Sequence, residues 1–193
     1  MSSFKVVNLG LPTTRTTTLA HALKIAGYRV ADLLYKGYFQ SGDPAEMFED
    51  FTALTELSGL RKGKSLWPQM DLGLIDAIRK HHPQVRFLAS RRDSWDVSQS
   101  MLAWSDLGTD RLPTSDIPSL PEGYGETSHE RIQCIDGHYA HLRNIFAGDT
   151  SFMEYNVADA GAHTAIEAHI GASLPWWGQA NANPNAPSEN KAS

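Results

Sequence analysis

The residues best suited to chemistry stand near the amino terminus, in the run Val6-Val7-Asn8-Leu9-Gly10-Leu11-Pro12-Thr13-Thr14-Arg15-Thr16-Thr17-Thr18-Leu19. Five threonines and an arginine are set between a hydrophobic run and a helical pattern, an arrangement that holds phosphate. Val6, Val7 and Leu9 read as a buried parallel strand. Gly10 and Pro12 break it, and Leu19, Leu23 and Ala26 recur at helical spacing until Gly27 stops the helix. An anion held at residues 13–18 meets free backbone N–H groups, the positive end of a helix dipole, hydroxyls and one guanidinium. A Walker loop is excluded, because counting from Gly10 it requires glycine and lysine where Arg15 and Thr16 stand.

A second segment repeats the design. Val85-Arg86-Phe87-Leu88-Ala89-Ser90-Arg91-Arg92-Asp93-Ser94-Trp95-Asp96-Val97-Ser98-Gln99-Ser100 is again a short strand passing into a helix, with arginine at the join. Taken together, the two segments and the Leu72–Pro83 helix between them resemble small bacterial sulfotransferases that use 3′-phosphoadenosine 5′-phosphosulfate (PAPS), over roughly residues 4–178. Pro12, Thr14, Thr16, Thr17 and Leu19 match that family's 5′-phosphosulfate loop. Thr13 stands where the family has lysine or arginine, and Arg15 where it has glycine. Arg92 and Ser100 have the spacing of its 3′-phosphate motif, and Asp93 and Trp95 fall in step with it. A phosphate monoester is well served by an arginine fork and a hydroxyl two helical turns further on.

The resemblance implies cofactor contacts from Thr13, Thr14, Arg15, Thr16, Thr17, Thr18, Arg92 and Ser100. It implies Arg15 as the catalytic cation in place of the family's lysine, PAPS as co-substrate, no metal, and a small hydroxyl- or amine-bearing acceptor. A second reading stays open: a catalytically weak nucleotide-binding protein, since Thr13 replaces the loop lysine. A P-loop kinase is disfavoured by the missing lysine and magnesium-binding pattern.

A transferase also needs a base for the acceptor. Eight histidines offer no unique choice. His138 and His141 share a helix face, but no third metal ligand has a recognisable spacing, and an exposed helix surface is the simpler expectation. Glu56, at the end of the third strand, is an alternative base. Arg91 is expected to face solvent, and Trp95 and Trp104 to line core or cleft.

These groups must be positioned by a fold that the periodicities describe. Strands are expected at 5–9, 28–31, 52–57, 85–89 and 151–155. Asp43-Pro44-Ala45-Glu46 reads as a capped helix start with Met47, Phe48 and Phe51 on its apolar face. Met70, Leu74, Ile75 and Ile78 mark a helix closed by His81, His82 and Pro83; Val97, Met101 and Trp104 mark the next. Residues 105–128 are rich in turn formers, a long loop of the kind that is functional or mobile. Ser128 is expected to cap a helix carrying Ile132, Ile135, Tyr139, Leu142 and Phe146, and Ile166 and Ile170 mark a last helix before Gly171. Alternating strands and helices give an α/β fold: a three-layer parallel sheet flanked by helices, with ligand at the carboxyl ends of the strands. The resemblance narrows this to a P-loop NTPase-like sulfotransferase architecture.

The chain of 193 residues reads as one domain over 1–178, followed by a tail at 179–193 too polar to order itself. Seventeen lysines and arginines against 22 acids give a net charge of −5, which excludes a clustered basic surface for nucleic acid. Cys134 is the only cysteine, so no intrachain disulfide forms and a reducing compartment is the simpler reading. With no apolar run long enough for a membrane span and no leader before the first strand, a cytoplasmic location is expected.

Overall fold

In the computed structural model, residues 5–31, 42–44, 51–61, 64–104, 106–115, 117, 120–178 and 180 are described. A five-stranded parallel sheet is built from β1 (Val6–Asn8), β2 (Val30–Ala31), β3 (Ala53–Leu54), β6 (Arg86–Arg91) and β7 (Phe152–Asn156), in the order β2-β3-β1-β6-β7. Val6 aligns with Ala53 on one side and Arg86 on the other. Strands β4 (Gly59–Arg61) and β5 (Lys64–Leu66) form a separate antiparallel hairpin.

Alternation along the strands makes the layers. Val7, Leu54, Phe87 and Ala89 face α2 (Leu72–His81), α3 (Ser94–Ala103) and α4 (Ser128–Ile145), burying Leu74, Ile78, Val97, Met101, Ile135 and Leu142. Val6, Ala53 and Leu88 face α1 (Thr16–Ile25) and α5 (Ala162–Ile170), burying Leu19, Leu23 and Ile166. Each Val, Leu, Ile, Phe or Met among these contributes roughly 1.5–3 kcal/mol on full burial. The sheet with helices on both faces is the three-layer α/β arrangement that the alternating pattern predicts. No described helix is long and apolar enough to cross a membrane.

The chain leaves β1 toward β3 and β2, then returns past β1 to β6 and β7. Connections therefore diverge between β1 and β6. A crevice opens at the carboxyl ends of strands that diverge in this way. The turn after β1 holds the threonine loop, and the turn after β6 begins with Arg92.

Several local expectations are revised. Thr127, not Ser128, caps α4: its hydroxyl accepts the Glu130 N–H and the Glu130 carboxylate accepts the Thr127 N–H, a complete capping box. The third strand is only Ala53–Leu54, because beyond it the Thr55 carbonyl turns to accept the Asn8 side-chain amide at 3.2 Å. The basic stretch after it contains the β4–β5 hairpin. Within 105–128, Leu107–Arg111 form a wide helical turn, and Leu107, Leu112 and Ile117 are buried in the core. Buried Arg131 ties the end of that segment down by donating to the Gly125 and Glu126 carbonyls and to Ser98 Oγ. The helix start at 45–48 lies outside the described residues, as do nearly all residues of the 179–193 tail.

His138 is 3% exposed rather than on a helix surface, with Nε2 2.8 Å from the Leu9 carbonyl. Burial pushes its pKa down to about 4, below the value near 6.5 of an unfolded histidine. Folding therefore excludes a proton that the unfolded chain binds, so His138 contributes stability above about pH 6.5 that is lost as the pH falls toward 4. Urea unfolding midpoints are expected to fall over that interval, with a shallower fall in His138→Gln. Equal slopes would remove His138 as the cause.

Candidate functional site

The threonine loop has a left-handed backbone at two positions that are not glycine, Thr13 at φ +69° and Arg15 at φ +60°, ψ +30°. Arg15 keeps the conformation glycine allows and is the residue preceding α1. Each such residue costs of order 1–3 kcal/mol and persists only where its surroundings hold it.

The surroundings are specific. Thr14, fully buried, donates its hydroxyl to the Leu11 carbonyl at 2.7 Å and meets Ser90 Oγ at 2.8 Å. Asn8 Oδ1 accepts the N–H groups of Gly10 and Ser90 at 3.2 and 3.3 Å, joining the ends of β1 and β6. Tyr139 on α4 donates to the Ser90 carbonyl at 2.6 Å. Burial pushes this phenol up to about 12, which keeps its proton in place. Arg92 then donates to the Thr13 carbonyl at 3.0 Å. The two turns that the sequence singled out are thus hydrogen-bonded to each other.

Gly10 makes this closeness possible. A Cβ there would overlap Ser90 Oγ and stand 2.9 Å from the Ser90 carbonyl oxygen. Gly10→Ala is expected to destabilise the protein by about 1–3 kcal/mol through overpacking against backbone. Denaturant titration checks it, and an unchanged midpoint would show that the strands can part without cost.

At the start of α1, Thr16 and Thr17 donate their hydroxyls to Glu56 Oε1 at 3.0 and 2.7 Å. The first turn of α1 has no acid of its own, so Glu56 places a carboxylate where the helix dipole favours negative charge. Thr13 Oγ1 is buried without a hydrogen-bond partner among the described residues. Arg15 turns its guanidinium to the Val157 carbonyl, 3.3 Å away just past β7. The buried Thr18 hydroxyl accepts the Ala180 N–H, on the side toward the carboxyl-terminal segment. Ser100 is half-buried on α3, two turns beyond Arg92.

Other expectations are corrected here. Arg91 does not simply face solvent: it pairs with Glu154 at 3.2 Å and lies over the Tyr139 ring. Trp95 is 55% exposed and lines no core, while Trp104 packs partly buried against the core. Cys134, mostly enclosed, has its thiol pushed up to about 11 by burial. No group of three or more potential metal ligands occurs among the described residues.

Sequence reasoning passed over Asn8, Ser90 and Tyr139. The signal was present for the first two: each is a polar residue in an otherwise apolar strand, and a buried polar group needs a partner. Tyr139 is, by periodicity alone, only one point of an apolar stripe.

The arrangement offers a backbone cradle, two hydroxyls at a helix start, one arginine fork and one carboxylate. It suits a phosphorylated ligand with a proton acceptor beside it. No family model matches the chain, and a search of curated proteins finds no match either.

Proposed function

We propose that the protein is a PAPS-dependent sulfotransferase acting on a small hydroxyl- or amine-bearing acceptor. The observation that carries this reading is the hydrogen bond from Arg92 to the Thr13 carbonyl, which joins the arginine of one motif to the threonine loop of the other. The buried Thr13 hydroxyl and the left-handed turns at Thr13 and Arg15 fit an anion in the loop.

The residues that would hold the cofactor are Thr13, Thr14, Thr16 and Thr17 at the phosphosulfate, with Arg92 and Ser100 at the 3′-phosphate. When bound, PAPS supplies an activated sulfonate whose bond to the phosphate oxygen breaks as its bond to the acceptor oxygen or nitrogen forms. Backbone N–H groups of the loop and the α1 dipole stabilise negative charge at residues 13–17. Thr16 and Thr17 would turn their hydroxyl hydrogen bonds from Glu56 to the ligand. Glu56, released from them, takes the acceptor proton on its carboxylate. Arg15 supports the loop through its backbone conformation and its bond to Val157.

The departure from the family's loop lysine favours a second reading, nucleotide binding with weak chemistry. Calorimetric titration with adenosine 3′,5′-bisphosphate, followed by transfer of radiolabelled sulfonate to a panel of small alcohols, phenols and amines, separates them. Saturable binding with turnover supports the enzyme, binding without turnover supports the second reading, and no binding rejects both.

A further inference from the structure

We propose that Ser65, Trp67 and Gln69 form a binding subsite for the hydroxyl or amide group of a small uncharged ligand. These residues occur at alternate positions where the chain leaves β5 and enters the short turn Pro68–Met70. They are 0%, 1% and 0% exposed. Yet Ser65 Oγ, Trp67 Nε1, Gln69 Nε2 and Gln69 Oε1 have no hydrogen-bond partner among the described residues. Buried side-chain polar atoms are ordinarily paired, and leaving one bare is destabilising. Four bare atoms on three alternate residues are a poor solution for a core, where an apolar side chain of similar size would be more stable. They are a sound solution for holding a ligand.

The subsite lies in the segment that follows Glu56 along the chain. The hairpin register Gly59↔Leu66 and Leu60↔Ser65 returns the chain beside residues 59 and 60, a few positions beyond Glu56. Thr55, next to Glu56 and fully buried, carries a further hydroxyl without a partner among the described residues. Trp67 itself belongs to the apolar cluster containing Leu54 and Leu57, which flank Thr55 and Glu56.

The chemistry of the donor set defines the occupant. An indole N–H only donates, whereas a carboxamide and a hydroxyl each donate and accept. None of the three carries charge, and a buried ion needs an opposite charge to be tolerated. Neutral hydroxyls and amides match such a set; carboxylates, phosphates and ammonium groups do not. Naming the occupant as the acceptor of sulfonate rests on the transfer reading, but the binding itself does not.

The test follows the Trp67 indole N–H by two-dimensional NMR, picking it out from the five tryptophans as the peak missing in Trp67→Phe. Ethylene glycol and acetamide serve as neutral probes, with acetate and methylammonium as charged ones. The neutral probes are expected to shift the peak saturably and the charged ones to leave it in place. Gln69→Leu is expected to weaken the neutral probes at least about ten-fold while its Tm stays level or rises, since a bare amide has been removed. An indole peak unmoved by the neutral probes, or affinity unchanged in Gln69→Leu, overturns the proposal. A Tm lowered by several degrees does the same, because the amide would then have had partners within the protein. Adenosine 3′,5′-bisphosphate titrated in parallel keeps the two readings apart: its failure to bind removes the transfer function and leaves the indole result standing.

Discussion

Glu56→Gln is expected to lower kcat for sulfonate transfer by about 10²–10⁴ while adenosine 3′,5′-bisphosphate binds at least as tightly as to the unsubstituted protein. Loss of a proton acceptor predicts the first effect. The second follows from where the carboxylate sits. Glu56 Oε1 accepts hydrogen bonds from the Thr16 and Thr17 hydroxyls at the start of α1, so it competes with any anion for the same donors. Glutamine keeps the shape and removes the charge. Single-turnover transfer and calorimetry on the same preparation check both halves. An undiminished kcat excludes Glu56 as the base, and weaker nucleotide binding shows that its charge does not oppose the ligand.

Arg92→Ala is expected to weaken adenosine 3′,5′-bisphosphate by roughly 1.5–3 kcal/mol, the scale of hydrogen bonds to a charged group. Arg92→Lys should recover only part of this, because an ammonium supplies a point charge without the planar fork. Calorimetric titration measures both, and an unchanged affinity in the alanine variant would take Arg92 out of the site. A fall in stability without a fall in affinity would leave Arg92 as a brace for the Thr13 carbonyl and nothing more.

Much of the fold could be read in the chain because its periodicities are simple. Val6 with Val7, Ala53 with Leu54, and Phe87 with Leu88 are adjacent apolar pairs, and only a strand covered on both faces needs such pairs. The ends of α1 and α5 were legible in Gly27 and Gly171, which both take positive φ. The α4 cap was misplaced by one residue because Thr127 and Ser128 both suit the position, and only the reciprocal bond with Glu130 distinguishes them. The short third strand was overextended because nothing local reveals that Asn8 claims the Thr55 carbonyl.

The candidate site was legible as two motifs and not as a network. Arg92 and the threonines were picked out by type and spacing. That Arg15 turns toward Val157, or that Thr18 bonds to the carboxyl-terminal segment, depends on neighbours far away in sequence. His138 misled for the same reason: one turn from an exposed histidine, it is enclosed because the Leu9 carbonyl accepts it.

Asn8, Gly10, Ser90 and Arg92 stitch the two turns together before any ligand arrives. The entropy of arranging the cradle is therefore spent once, when the chain folds, and is not charged again at each encounter. On the transfer reading, capture would then require little movement of the backbone at the mouth of the sheet, and chiefly an exchange of partners by the Thr16 and Thr17 hydroxyls.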